Sequence, residues 1–473
     1  MAWRGYGASP NRSFVFGHSL IKGRPQKSIR EKMRCKCRKL REVDMNLKKL
    51  AIAAAVTVTA AAPALAELVV PSLTYRTGPY AANGIPWADG FADYMTLVNE
   101  RDGGVGGEKI RIIECETAYN TEKGVECYEA TKGEGALVYH PRSTGITYQL
   151  IPKITADNIP IHTPGLGRTS AKNGEVFNWV FNYPANYWDG ASGAITHLLN
   201  INNGDIKGKT ITLLYHNSAY GKEPIRTLEL LAEKHGFNLK TLAVDHPGQE
   251  QKSQWLQIRR DRPDYVLMWG WGIMNQVAVQ EATNIRYPME NFIGVWWSGS
   301  ENDVMPAAEK ANGYKSLAFF AVNDDFPVYD DIKKYVVDAG KAAGAGNMVG
   351  DRLYNAGMME AMLTVEAIKN AQEIHGTKQI TPAMMRDGME ALKVNNELMK
   401  SLGMENFLPE FDVSCQNHGG NGLVNMSQWD AEAGKWSIID ANIQSDQDII
   451  QPLVDQDSMA FAKEAGITPG CVN

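Results

Sequence analysis

The stretch of residues 68–112 most constrains the fold, because it contains the complete pattern of a strand, a helix and a second strand. The apolar run at 68–73 includes β-branched residues and predicts a buried parallel strand that stops at 77–79. One helical face follows, with apolar residues spaced three or four apart at Trp87, Phe91, Met95 and Val98. The glycines of 102–107 allow a tight turn after the helix, and a second strand is predicted at 110–113. The stretch therefore predicts a βαβ unit with a parallel sheet.

The same alternation continues along the chain. Strands are predicted at 136–139 and 159–162, and each ends in a polar loop. The pattern breaks at 181–188, and a second series of strands begins at 210–215, 265–269 and 292–295. Because open α/β sheets bind ligands at the carboxyl ends of their strands, we expect the polar loops to face one cleft.

The beginning of the chain has the pattern of a secretory signal peptide. Basic residues precede an apolar stretch at 50–62, and Ala64-Leu65-Ala66 forms a small-residue cleavage site within the signal peptide at 45–66. Cleavage after Ala66 would release the mature chain into the periplasm. Residues 1–44 are strongly basic and aperiodic, which indicates a non-native extension or a start codon assigned too early.

The charge of the mature chain narrows its partners. Residues 67–473 keep 34 of the 48 basic and 51 of the 54 acidic residues, a formal net charge of −17. This excess of acid disfavours binding to nucleic acid or to an anionic membrane, and no membrane insertion is expected. A length of 407 residues suits two α/β lobes.

Four cysteines remain after cleavage, and an even number in an oxidising compartment indicates disulfides. Cys115 at a strand end and Cys127 in the next helix close a short loop, so we predict that they pair. By elimination Cys415 pairs with Cys471 and ties down the C-terminal tail.

The order of these features resembles the opening of the leucine/isoleucine/valine-type periplasmic solute-binding proteins of ABC importers. The resemblance rests on a strand, the run T-G-P-Y-A-A-N-G at 77–84, a helix, and the run N-E-R-D-G-G-V-G-G-E-K-I at 99–110. It implies a type I periplasmic binding protein of the α/β class, with two lobes and three hinge crossings. Each lobe would contain a doubly wound, mostly parallel sheet. The first lobe would comprise 67–186 and about 317–405, and the second lobe 187–316 and about 406–473 with the C-terminal tail.

The resemblance also implies a function. A monomer would close over a small-molecule ligand and deliver it to an inner-membrane ABC permease. The alternative is a sensory module that signals ligand occupancy to a membrane receptor. The motifs G-x-S-x-G, H-E-x-x-H and G-x-x-x-x-G-K do not occur in the sequence, so neither catalysis nor a cofactor or metal is expected.

Candidate ligand-binding residues occupy the loops that match the family's contact positions. In the first lobe they are Tyr80, Asn83, Arg142, Ser143, Thr144, Gly165, Leu166, Arg168 and Thr169. In the second lobe they are Tyr220, in a turn similar to the family's D-x-x-Y-G motif, with Trp271 and Trp296. Hydroxyls and helix N-termini of the first lobe would bind a carboxylate, and Arg142 or Arg168 could add a bidentate contact. The alternative for each arginine is a surface position.

The second lobe departs from the family's amino-acid binders at the position that recognises the ligand ammonium. Those proteins carry an acidic residue shortly after the glycine of the I-G-x-x segment, which here reads Gly294-Val295-Trp296-Trp297. A buried ammonium without a counter-charge is costly, so an aromatic or apolar acid is favoured unless Glu301 or Asp303 replaces the missing carboxylate. The tryptophans are either pocket walls or core packing.

Overall fold

A computed structural model describes residues 67–322 and 325–472. The predicted signal peptide at 45–66 and the preceding segment lie outside the described residues. Among the described helices, none combines the length and apolarity needed to cross a membrane.

The first lobe is built around parallel strands. They are β1 (Leu68–Thr74), β2 (Ile110–Glu116), β3 (Ile161–His162) and β4 (Val180–Phe181). Residues 136–140 lie between β1 and β3 and bridge to both in parallel, so the order across the sheet is β2, β1, 136–140, β3, β4. The helices are α1 (Ala81–Arg101), α2 (Thr121–Thr131) and α3 (Thr144–Asp157). The predicted βαβ unit is confirmed.

The chain then crosses to the second lobe. Its first strands are β5 (Thr210–His216), β6 (Asn238–Val244), β7 (Tyr265–Trp269), β8 (Phe292–Gly294) and β9 (Lys315–Ala318). The helices of this part are α4 (Tyr187–Ile201), α5 (Ala219–Lys222), α6 (Ile225–His235), α7 (Lys252–Asp261), α8 (Ile273–Asn284) and α9 (Glu301–Val304). β5 to β9 run parallel to one another.

A second crossing returns the chain to the first lobe. The elements there are α10 (Pro327–Ile332), α11 (Arg352–His375), α12 (Pro382–Glu390), β10 (Lys393–Val394), α13 (Asn396–Ser401) and β11 (Phe411–Asp412). α11 packs along α1, where a side chain at Gly90 or Gly357 would collide with the facing backbone. The sequence predicts the return at about residue 317, whereas β9 stays in the second sheet through Ala318.

The last part of the chain completes the second sheet and then leaves it. β12 (Val424–Asp430) and β13 (Lys435–Ile443) give the strand order β13-β12-β9-β8-β7-β5-β6, with β12 antiparallel to both neighbours. The sequence predicts the third crossing, from the first lobe back to the second, at 406–414. In the structure β11 still pairs with β10 of the first lobe.

The C-terminal helix α14 (Gln447–Ala465) touches both lobes. At its start, Asp446 accepts a hydrogen bond from Lys234 of the second lobe, at 2.5 Å. Near its end, Phe461 stacks on Phe177 of the first lobe with ring centroids 4.7 Å apart. The helix is thus a further link between the lobes, in addition to the three crossings.

Both predicted disulfides are present. Cys115 at the end of β2 bonds to Cys127 in α2. Cys415, after β11, bonds to Cys471 and holds the chain that follows α14 against the first lobe.

Candidate ligand-binding site

A cavity of about 230 Å³ of empty space lies between the lobes, at the carboxyl ends of their parallel strands. Its first-lobe lining consists of Tyr75, Trp87, Tyr119, Arg142, Ser143, Thr144 and Leu166. Its other lining residues are Tyr187, Tyr220, Trp271 and Trp297. Arg142 is the charged member of this set, which includes no aspartate or glutamate.

Arg142 presents one free donor to the cavity. Its Nε donates to Glu360 Oε2 at 2.8 Å, and one terminal nitrogen, Nη1, donates to Ser72 Oγ at 2.5 Å. Its other terminal nitrogen, Nη2, is buried and has no acceptor among the described residues. The guanidinium also lies over the Phe91 ring, 4.5 Å from its centroid. The side chain is therefore fixed in place, and its Nη2 amino group is unused among the described residues.

Glu360 on α11 holds this guanidinium. Burial is the largest single effect on the Glu360 carboxyl and raises its pKa, but Arg142, His140 and His162 together outweigh burial and lower that pKa to about 2. His140 Nδ1 lies 3.2 Å from the other carboxyl oxygen, and burial lowers the pKa of His140. At neutral pH Glu360 is ionised beside the Arg142 guanidinium. The cavity therefore receives a hydrogen-bond donor from Arg142 whose direction is fixed and whose charge is balanced by Glu360.

Three further buried polar atoms of the lining have no partner among the described residues. They are the Tyr75 hydroxyl, Trp87 Nε1 and Trp271 Nε1. An indole N–H and a guanidinium N–H can only donate, and a buried donor left unpaired costs roughly 1–3 kcal/mol. The unused groups of the cavity are thus mainly donors, and they call for a ligand that supplies acceptors.

The N-terminus of α3 borders the same cavity. Ser143 precedes the helix, and Thr144 is its first residue. Thr144 Oγ1 accepts a hydrogen bond from the backbone N–H of Gly167 at 3.2 Å. The positive end of a helix dipole favours an anion at this position.

Three tryptophans form the apolar walls. Trp87 of α1 stacks on Trp297 of the second lobe, with centroids 4.5 Å apart and planes at 22°. Trp271 meets both rings edge-on, at 6.2 and 5.8 Å. Gly272 follows Trp271 with φ +62, and a side chain there would meet the Tyr80 ring at 2.6 Å. Glycine is thus required where the lobes approach each other.

The structure brings half of the predicted residues to the cavity. Those that line it are Arg142, Ser143, Thr144, Leu166, Tyr220 and Trp271. Those placed elsewhere are Tyr80, Asn83, Gly165, Arg168, Thr169 and Trp296.

Tyr80 joins the lobes beside the cavity. Its hydroxyl lies 2.8 Å from both His216 Nε2 and His246 Nδ1 of the second lobe. Asn83 is buried in the first turn of α1. The backbone oxygen of Gly165 accepts hydrogen bonds from the indole N–H groups of Trp296 and Trp297, at 2.9 and 3.0 Å, which also connects the lobes.

Arg168 faces the C-terminal helix, and both Arg168 and Thr169 lie outside the cavity lining. Arg168 Nη2 donates to Asp457 Oδ2 of α14 at 2.6 Å. Thr169 begins a 3-10 turn, Thr169–Lys172, and is buried beneath that helix. Trp296 is fully buried against Tyr187, with the planes 5° apart. Of the two interpretations of the tryptophans, the position of Trp271 matches a pocket wall and that of Trp296 matches core packing.

Neither candidate replacement for the missing acid reaches the cavity. Asp303 Oδ2 accepts a hydrogen bond from the Ser300 N–H at 2.9 Å and caps α9. Glu301 accepts from the Arg352 N–H at 3.2 Å. Burial raises the pKa of each of these two carboxyl groups to about 7. An ammonium in the cavity would therefore find no carboxylate among the lining residues.

Five lining residues were missed by the sequence argument: Tyr75, Trp87, Tyr119, Tyr187 and Trp297. The sequence predicts Trp87 only on the core face of α1, whereas the structure places this indole both in the core and at the cavity. Trp297 is adjacent to the predicted Trp296. The occurrence of two neighbouring tryptophans at a strand end is the sequence feature that could have indicated Trp297 as a lining residue. Tyr187 lies just after the first crossing between the lobes, where the chain also borders the cavity.

Comparisons with known proteins agree with this architecture. A family model described as "Periplasmic binding protein" matches residues 67–435. No curated protein matches the chain.

Solved structures match over most of the chain. A protein from the Pseudomonas fluorescens group, described as an ABC transporter permease, is 36% identical, with 86% of this chain and 99% of that chain covered and a TM-score of 0.79. A branched-chain amino acid ABC transporter protein from Thermus thermophilus with bound valine is 18% identical, with 82% and 98% covered and a TM-score of 0.70. A solute-binding protein from R. palustris in complex with benzoate is 17% identical, with 80% and 98% covered and a TM-score of 0.63.

Proposed function

The chain belongs to the periplasmic binding protein family, and from that premise we propose that it captures a small aromatic or apolar carboxylate for an ABC importer. The family consists of ligand-binding proteins and not of enzymes. The predicted signal peptide would deliver the chain to the periplasm, where the ligand-loaded form would dock on an inner-membrane permease.

One observation carries the choice of ligand. The cavity lining includes a buried guanidinium nitrogen of Arg142 that has no acceptor among the described residues, and this lining includes no acidic side chain. A carboxylate would supply the missing acceptors to Arg142 and to the indole N–H groups, and charge-assisted hydrogen bonds of this kind are the strong ones. An amino acid would also bury an ammonium without a counter-charge, which is costly.

The aromatic walls support an apolar body for the same ligand. Trp87, Trp271 and Trp297 pack on one another at centroid distances of 4.5 to 6.2 Å and line the cavity with aromatic rings. A ligand ring in contact with one of these rings would gain roughly 0.5–1.5 kcal/mol beyond the area that it buries. The R. palustris protein with bound benzoate is a precedent for an aromatic acid on this fold.

Closure would follow from contacts to both lobes. The carboxylate would lie at Arg142 and the start of α3 in the first lobe, and the apolar body against Trp271 and Trp297 in the second. Because the ligand reaches both sets only when the lobes are shut, its binding free energy shifts the population toward the closed state.

The test is isothermal titration calorimetry on the chain from residue 67 onward, with benzoate, benzamide, phenylacetate, valine and leucine. We expect the two aromatic acids to bind. Benzamide, the neutral isostere of benzoate, should bind at least about tenfold more weakly, since a neutral acceptor gives a weaker hydrogen bond. Tight binding of valine or leucine, or equal binding of benzamide and benzoate, would refute the proposed ligand class.

A further inference from the structure

A second chamber adjoins the cavity on the side of the solvent. Tyr119, Ser143 and Tyr220 line both spaces, and we call these three residues the neck. The outer chamber contains about 830 Å³ of empty space, part of it open to solvent. Cavity and chamber are therefore adjacent, with the neck residues between them.

The lining of the outer chamber differs in chemistry from that of the cavity. Beyond the neck it presents a hydroxyl from Thr121, an amide from Gln149, a hydroxyl from Ser218 and an imidazole from His246. Burial lowers the pKa of His246, which keeps the ring neutral at physiological pH. Lysine, arginine, aspartate and glutamate are missing from the chamber's described lining. These groups both donate and accept hydrogen bonds, and they offer no counter-charge to an ion.

The fold holds Tyr119 at the neck in an uncommon conformation. Ala118 and Tyr119 have φ values of +49 and +61, a left-handed backbone that residues other than glycine rarely adopt. Two hydrogen bonds secure the turn: Thr117 Oγ1 donates to Thr74 O at 2.8 Å, and Ala118 N donates to Glu116 Oε1 at 2.7 Å. Backbone conformations of this kind persist where the surroundings determine them, and they concentrate at ligand sites.

Aromatic contacts fix the ring as well. The Tyr119 ring lies 5.0 Å from that of Tyr75 and 4.5 Å from that of Tyr80. Tyr80 is in turn tied to the second lobe by its hydroxyl contacts with His216 and His246. The width of the neck is thus set by residues from both lobes.

We propose that the ligand extends through the neck, with its carboxylate at Arg142 and a neutral polar group at its far end in the outer chamber. The ligand class is then an aromatic acid extended by a hydroxyl, ether or amide group. This inference rests on the proposed function, because the same cavity receives the carboxylate. A second charge at the far end would meet no partner in the outer lining.

The experiment compares acids of graded length by calorimetry on the chain from residue 67 onward. The probes are benzoate, 3-phenylpropanoate and 3-(4-hydroxyphenyl)propanoate. We expect the hydroxylated acid to bind about tenfold more tightly than 3-phenylpropanoate, a difference of about 1.4 kcal/mol, which is at the upper end of the range for one net hydrogen bond.

A double variant of the outer chamber, Thr121→Val with Gln149→Leu, should remove most of that preference and leave benzoate affinity unchanged. The described residues give the side chains of Thr121 and Gln149 no hydrogen bond, and position 149 is exposed, so the fold should be kept. The control is Thr155→Val. Position 155 is exposed, lies on α3 like Gln149, and is outside both spaces, so the substitution should change neither affinity.

Equal affinities of the two long acids, or an unaltered preference in the double variant, would overturn the inference. If benzoate binds and the long acids do not, the inference fails while the proposed function stands. If no acid binds, the proposed function fails and the inference with it.

Discussion

The loops of Arg142 and Arg168 occupy equivalent places in the first lobe but meet opposite environments. Each follows a parallel strand segment, and each offers a guanidinium near the start of a helical turn. Arg142 turns into the cavity and binds Glu360, which lies 218 positions away in the chain. Arg168 turns outward to α14 and binds Asp457, which lies 289 positions away. One loop serves the ligand site, and the other serves the link between the lobes.

The difference shows how burial changes the role of the same side chain. The Arg142–Glu360 side chains are 1% and 0% exposed, whereas those of Arg168 and Asp457 are 16% and 41% exposed. A buried pair leaves an uncompensated charge when one partner is removed, while a partly exposed pair is replaced by water at little cost. The two loops should therefore respond very differently to equivalent substitutions.

The largest expected effect is on stability, from Glu360→Gln. The substitution leaves the buried Arg142 charge without its carboxylate, and we expect the free energy of unfolding to fall by about 3 kcal/mol. Urea denaturation measures this value. The matched substitution at the other loop, Asp457→Asn, should cost less than about 1 kcal/mol. Similar losses in both variants would remove the distinction between the loops.

The next effect is on ligand affinity, from Arg142→Lys. Lysine keeps the charge that Glu360 requires but loses the planar guanidinium and its free Nη2 donor. We expect benzoate affinity to fall by about 30-fold to 100-fold, the value of one charge-assisted hydrogen bond of about 2–3 kcal/mol. In the same titration Arg168→Lys should stay within about twofold of the unmodified protein. Equal losses would place both loops at the ligand.

A smaller, pH-dependent effect is expected beside the Arg168 loop. Glu223 of the second lobe accepts a hydrogen bond from Tyr148 of the first, and Arg168 and Asp457 are the nearby charges. Burial raises the pKa of Glu223 to about 7. The folded protein holds this proton more tightly than the unfolded chain, so the stabilising contribution is complete below the ordinary pKa and is lost as the pH rises through 7.

Glu223→Gln mimics the protonated carboxyl and tests that sign. The variant should be about 1–2 kcal/mol more stable than the unmodified protein at pH 8 and no more stable at pH 4, below the ordinary pKa of the carboxyl. Denaturation curves at the two pH values provide the measurement. Burial also raises the pKa values of Glu301 and Asp303. Because both carboxyl groups are present in the variant and in the unmodified protein, their contributions cancel when the two stabilities are subtracted. A stabilisation that is the same at both pH values would contradict the assignment.

Much of the fold was predictable, because its signals are local. The βαβ unit at 68–112 follows from strand and helix periodicity within single elements. The pairing of Cys115 with Cys127 follows from their short separation. The elements around residues 317 and 406 were placed less accurately, since membership of a sheet depends on which distant strand completes the hydrogen bonds.

The candidate site was predictable only in part. The sequence by itself determined that polar loops at strand ends meet in one cleft and that the usual acidic residue is replaced by Trp296-Trp297. Only the tertiary structure decided which of these adjacent indoles lines the cavity, because Trp296 stacks on Tyr187 whereas Trp297 stacks on Trp87 of the other lobe. It likewise separated Arg142 from Arg168, since the carboxylates that orient them come from α11 and α14. Strand ends are encoded by neighbouring residues, whereas the direction of a side chain depends on charges and rings supplied hundreds of positions away.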